Sequence, residues 1–205
     1  MRYLKFNPVF CLIIFLSILP GYSAAATIDF ESLSDGDSVD TQYPGLTFSN
    51  ATAISAGLSL NELEFPPRSG TNVIFDAGGP MTIDFTTPQL SAGAFFTYLD
   101  RITIEAFDSN NTLVVTITSA FLSNLALSGD AGSTPNEFMG FSGPTPFNRL
   151  VISGDTLGES FVLDDLSFTA SVPLPGTLGL FGTGLVSLLG MRRRMLNTVD
   201  AVKRP

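Results

Sequence analysis

The chain has 205 residues, a formal net charge of −9 and only 14% charged residues, which suits one or two domains and excludes the basic surface that nucleic-acid binding requires. It has no His, no Trp and one Cys, Cys11, inside the first apolar run. Once that run is removed, Cys/His zinc sites, a Cys nucleophile, a Ser-His-Asp triad, redox dithiols and intrachain disulfides are all excluded.

The charges divide the chain into three segments. Thr27 to Ala170 holds 18 of the 19 acidic residues against only Arg68, Arg101 and Arg149, a net −15, while the other seven cations sit at the two ends. Residues 1–26 read as a secretory signal peptide. Arg2 and Lys5 form the cationic start, Val9 to Leu19 the apolar run, and Ala24 and Ala26 the small-x-small cleavage pattern, which predicts a mature start at Thr27. The apolar run is too short to cross a hydrocarbon core as a helix.

From residue 27 the pattern has period two, with turn residues between the runs. It predicts strands over 27–31, 46–50, 72–76, 81–86, 93–99, 102–108, 113–118, 138–142, 149–153 and 160–169. Separators such as Ala77-Gly78-Gly79-Pro80, Asp108-Ser109-Asn110-Asn111 and Ser142-Gly143-Pro144 carry turn chemistry. So many short strands in one segment point to an all-β domain, an antiparallel β-sandwich spanning 27–170. The segment 119–136, with Phe121, Leu122, Leu125 and Leu127, reads equally as a short helix or as a loop over a sheet edge. Asp35-Gly36-Asp37-Ser38-Val39-Asp40 lacks the EF-hand order and reads as an acidic turn.

The C-terminal segment opens on Val172, Pro173, Leu174 and Pro175. Leu174 to Met191 is uncharged and rich in Gly and Leu, and Arg192, Arg193 and Arg194 follow it. Eighteen apolar residues barely span a bilayer, and the arginines should stay cytoplasmic, so the acidic segment should lie outside. Residues 197–205 form a short cytoplasmic tail in this topology. A Pro-x-Pro start, a Gly/Leu-rich span and an Arg cluster resemble the PEP-CTERM sorting signal of Gram-negative bacteria, here over 171–196. This sequence has Pro173-Leu174-Pro175 where Pro-Glu-Pro is usual, and it continues past Arg194. The resemblance implies handling by an exosortase, a membrane-anchored precursor at the inner membrane, and a later place at the cell surface or in extracellular polysaccharide and biofilm matrix.

A second resemblance lies at the edges of the acidic domain. Ile28-Asp29-Phe30-Glu31 with Tyr43-Pro44-Gly45-Leu46-Thr47-Phe48, and the closing Phe161 to Phe168, look like the first and last strands of jelly-roll sandwiches in exported bacterial proteins. Many such domains bind carbohydrate, and several hold a structural calcium near the paired terminal strands. The resemblance thus implies Glu31, Asp164 and Asp165 as candidate calcium ligands. No Gly-x-Ser-x-Gly or phosphate-binding loop is present. Carboxylate-based glycoside hydrolysis has residues to draw on but no motif that selects a pair. A non-catalytic surface or matrix protein is therefore the leading expectation, with a calcium-dependent carbohydrate-binding module as the alternative. For stacking on sugars the domain offers only Tyr43 and Tyr98 among the amphipathic rings, and its phenylalanines are expected in the core.

Overall fold

A computed structural model describes residues 25–171. The signal peptide up to Ala24, the segment from Val172 to Pro175, the helix expected at 174–191, Arg192 to Arg194 and the 197–205 tail all lie outside the described residues.

The described residues contain nine strands and no helix: β1 (Ala25–Ile28), β2 (Leu46–Ser49), β3 (Ala51–Ser55), β4 (Asn72–Asp76), β5 (Met81–Tyr98), β6 (Thr103–Phe107), β7 (Leu113–Thr118), β8 (Glu137–Ser153) and β9 (Phe161–Ala170). All ladders between them are antiparallel and form one network, ordered β3-β4-β9-β5-β8-β6-β7, with β1 on β9 and β2 on β5. The two longest strands give the network its two layers. The first half of β5 pairs with β2 and the second half of β8, whereas its second half pairs with β9 and the first half of β8. Register shifts around Gln89 mark the crossing, where β8 spends the residues between Ser142 and Phe147 against Ser91 and Gln89 of β5. Such irregularities let a strand pass from one layer of a sandwich to the other.

The layers close on one core. Ala53, Ile74, Ala92, Ala94, Phe96, Met139, Leu163 and Leu166 meet Phe48, Ile83, Phe85, Ile104, Ala106, Leu150 and Ile152 in a single buried cluster. Period-two burial along β6 (Ile104 and Ala106 in, neighbours half out) shows why these sequences choose strands. Leu60, Val73 and Val162 form a small second cluster with Phe65 and Phe75, so the loop after β3 covers the outer face of β4 and the start of β9.

Several boundaries differ from the sequence expectation for local reasons. The strand expected at 27–31 ends at Ile28 because Phe30 adopts φ 60. That conformation is costly for a bulky residue, and here edge-on packing against Tyr43 and Phe48 at 5.7 and 6.3 Å holds it in place. Asn50, at φ 56, separates β2 from β3 and donates its side-chain amide to the Pro80 carbonyl at 3.0 Å. β3 itself is composed of small and polar residues around Ile54, and it escaped the hydrophobic pattern. The pairs 81–86/93–99 and 138–142/149–153 are the halves of β5 and β8, bent at Thr86-Thr87-Pro88 and Gly143-Pro144 rather than broken there. Segment 119–136 is a loop without a helix. Buried Asn124 docks it on the end of β5, accepting from the Tyr98 amide at 2.7 Å and donating to the Phe96 and Thr134 carbonyls.

Candidate functional site

The chain leaves β1 through the left-handed turn at Phe30, and that turn aims Glu31 at the loop before β4. Its Oε1 accepts from the amides of Thr71 and Asn72 at 3.0 and 2.8 Å, and Oε2 accepts from the Thr71 hydroxyl at 3.2 Å. Asp164 approaches the same loop from β9, accepting at Oδ2 from the amides of Arg68 and Ser69 at 2.8 and 2.9 Å. Asp165 follows at φ 49, beside a register shift between β9 and β5, and its Oδ1 accepts from the Ser69 hydroxyl at 2.9 Å. Gly70 lies between these anchors at φ 51, where an added Cβ would collide with the Glu31 carboxylate. Three carboxylates from the first and last strand regions therefore converge on residues 68–72.

The convergence works as a clamp built from hydrogen bonds. Carboxylates expected to face calcium spend oxygens on loop amides and hydroxyls, and among the described residues no group of three acidic, His or Cys side chains is placed to hold a metal ion. An amide-capped carboxylate must release its donors before it can coordinate a cation. The electrostatics remain uneven. Asp164 is 1% exposed, and burial, reinforced by the neighbouring Asp165 charge, pushes its carboxyl up to about 6 against the amide bonds that oppose the shift. Arg68 does not answer that charge with an ion pair. Its guanidinium lies over the Phe95 ring, 4.6 Å from the centroid.

Other expected residues have structural tasks. Asp35 in the acidic turn accepts from the Ser55 amide at 2.8 Å and from the Ser59 hydroxyl, and Asp37 accepts from the Ser34 amide. Ala26 and Thr27 of the cleavage pattern are in β1, opposite Phe168 and Ser167. Tyr43 packs against the core and Tyr98 is fully buried. The Tyr98 hydroxyl donates to Glu137, and burial with that bond pushes it up to about 12. Neither tyrosine offers a free ring. Among the described residues the exposed ring is Phe138, 57% exposed, and a Phe between Glu and Met looks in the sequence like any half-buried strand residue. Asp76 was also missed: fully buried at the end of β4, it accepts from the Ser160 amide and hydroxyl and the Phe161 amide at 2.8 to 3.0 Å.

At the other end of β9, Ser171 donates both its amide and its hydroxyl to the Pro88 carbonyl, at 2.8 and 3.0 Å. The family model of the PEP-CTERM protein-sorting motif matches residues 171–194 and starts at this serine. The chain carries a PEP-CTERM sorting motif. The motif marks an exported, exosortase-sorted protein, and it begins where the sandwich ends. No curated protein matches the chain. Among solved structures, the chain is similar to the K2 cleaved adhesin domain of Lys-gingipain, with 16% identity, 71% of this chain and 99% of that chain covered, and a TM-score of 0.44. It is also similar to the carbohydrate-binding module CsCBM6-3 from Clostridium stercorarium in complex with cellobiose, with 16% identity, coverage of 71% and 94%, and a TM-score of 0.35. A family 29 carbohydrate-binding module gives 13% identity, coverage of 76% and 98%, and a TM-score of 0.38.

Proposed function

We propose that the protein is a non-catalytic component of the cell surface or extracellular polysaccharide matrix, delivered by its PEP-CTERM motif as a membrane-anchored precursor. The observation that carries this reading is the motif at 171–194 placed directly after β9, with Ser171 the last described residue and tied to the sandwich. An exported domain with almost no linker stays against the membrane until its tail is cut. Processing by an exosortase is therefore the step that frees it. Mass spectrometry of protein from secreted and membrane fractions should find a C-terminus between Val172 and Pro175. A mature protein that still carries Arg192 to Pro205 in both fractions would overturn the reading.

A calcium-dependent carbohydrate-binding module is the second reading. Supporting it is the placement of buried Asp164 beside Asp165 at a loop that Glu31 also grips, with the Arg68 guanidinium turned to the Phe95 ring. Calcium would have to take oxygens from the loop amides. On this reading calcium raises the melting temperature by several degrees more than equimolar magnesium. Equal small shifts would mean only diffuse attraction of divalent ions to a domain of net −15.

A further inference from the structure

The outer face of the β1-β9-β5-β8 layer has an open part that the clamp and the core leave unused. In-register pairs cross it in rows: Ser142, Ser91 and Thr169 in one, Gly140, Gly93 and Ser167 in the next, and Phe138 with Phe95 beyond them. Their strand neighbours Ala92, Ala94 and Met139 point into the core, so these rows face outward. All of these but Phe95 line a shallow trough of about 340 Å³, near the lower end of the range for small-ligand clefts.

The floor and the wall define each other. Gly93 and Gly140 have no left-handed backbone that would require glycine. They are needed for space, since a Cβ on Gly93 would come within 2.6 Å of the far edge of the Phe138 ring and one on Gly140 within 2.9 Å. The ring therefore leans across the glycine pair. Phe95 touches it at 5.2 Å between centroids, and it keeps more than half of its surface in solvent. Glycines facing each other within strands often mark a place where something must approach closely, and covering them explains only one side of the ring. Ser91, Ser142 and Thr169 line the same trough, while the hydroxyl of Ser167 is already bonded to the Gly93 carbonyl at 3.0 Å.

The trough contains no charged side chain, although it belongs to a domain of net −15. A polyanion would be repelled by that field, and a polycation would find no carboxylate in the trough to pair with. An added peptide strand would join this layer at an edge strand, β1 or the first half of β8, and not on this face, whose central strands β9 and β5 are paired on both sides. A membrane surface would need a cationic rim or several exposed apolar side chains, and the trough has one protruding ring. What matches an aromatic face flanked by neutral hydroxyls is a sugar ring, with C–H groups on its face and hydroxyls around its edge.

We propose that this face, with Phe138 as the stacking platform and Ser91, Ser142 and Thr169 as hydrogen-bonding partners, binds an uncharged polysaccharide. This deepens the matrix reading given above and rests on it, adding the surface and the ligand class. The test uses the full-length protein in a polyoxyethylene detergent, which has no sugar head group to compete. It is run through native gels containing hydroxyethylcellulose, galactomannan, dextran or the anionic polymer alginate. Retardation by at least one of the three neutral polymers is expected, weaker by about tenfold or more in Phe138→Ala. Ser142→Glu, at an exposed position outside the core, places a charge in the trough and should lose binding with an unchanged melting temperature, so it decides the matter if Phe138→Ala fails to fold. Passage of the wild type through all three neutral gels, equal retardation of Ser142→Glu, or tighter binding to alginate would overturn the proposal. Correct sorting without binding would remove this inference alone, whereas binding by a protein that never reaches the surface would remove the matrix reading and keep the trough.

Discussion

Asp164 carries an unusual load for a carboxylate, since it is held in a 1% exposed position by the amides of Arg68, Ser69 and its own neighbour Asp165. Three amide hydrogen bonds favour the ion, yet desolvation outweighs them and lifts the group to about 6. Burial also raises the carboxyl of Asp76. A folded-state value above the unfolded one means that the native state binds the proton more tightly. The associated stability is then complete below pH 4 and is lost as pH rises through 6. For Asp164 this amounts to something on the order of 2 to 3 kcal/mol. Asp35, Glu64 and Asp108, held low by hydrogen bonds from nearby backbone and side-chain groups, act in the opposite sense only below about pH 4. The melting temperature should accordingly rise as pH is lowered from 7.5 to 4.5, and Asp164→Asn should flatten that slope. A melting temperature that falls over the same interval would refute the assignment.

Asp76 acts at the level of strands, because its side chain joins the end of β4 to the start of β9 through Ser160 and Phe161. β4 and β9 share only a short ladder, Ile74 to Leu163 and Phe75 to Val162. The carboxylate therefore extends the contact where the ladder stops. Asp76→Ala leaves three buried donors without an acceptor and should cost about 3 kcal/mol or more, read as a lower denaturation midpoint. A loss below 1 kcal/mol would show that water replaces the carboxylate easily. Such long-range clips explain what local patterning can and cannot reveal. Apolar patterning located β4, β6, β7 and both halves of β5 and β8, although burial alternates strictly along β6 and not along β4 or β7. It missed β3, whose Ala51, Thr52, Ala53 and Ser55 carry little apolar contrast, and it cut β5 at Pro88 because turn chemistry and a layer-crossing bend use the same residues. Glu31, Asp164 and Asp165 were brought together by the likeness of the terminal strands to a jelly roll. Their actual partners, the amides of 68–72, lie 40 to 96 positions away in sequence and left no local trace. The same holds for Phe138, whose exposure follows from its register beside the Gly93–Gly140 pair.

At the scale of the whole molecule the uneven charge gives the proposed processing a readout. The complete chain carries −9. Removal of residues 1–26 takes away Arg2 and Lys5 and leaves −11. Removal of the segment after Ser171 takes away Arg192, Arg193, Arg194, Lys203 and Arg204 together with Asp200 and leaves −15. Each cut therefore makes the protein more acidic, and the sandwich need not give up core packing at either step. Ala25, Ala26 and Thr27 are exposed in β1, so a start at Thr27 removes two outer rungs of the β1–β9 ladder and keeps those of Thr27 and Ile28. Ser171 remains bonded to Pro88 when the chain ends beyond it. Isoelectric focusing of cell fractions should thus resolve three species of successively lower isoelectric point, the middle one in the membrane and the most acidic one at the surface or in the medium. N-terminal sequencing of the last two should begin at Thr27. A surface species focusing with the membrane form would show that the cationic tail is retained. A start upstream of Ala25 would show that β1 keeps its full ladder and that the cleavage pattern at Ala24 and Ala26 goes unused.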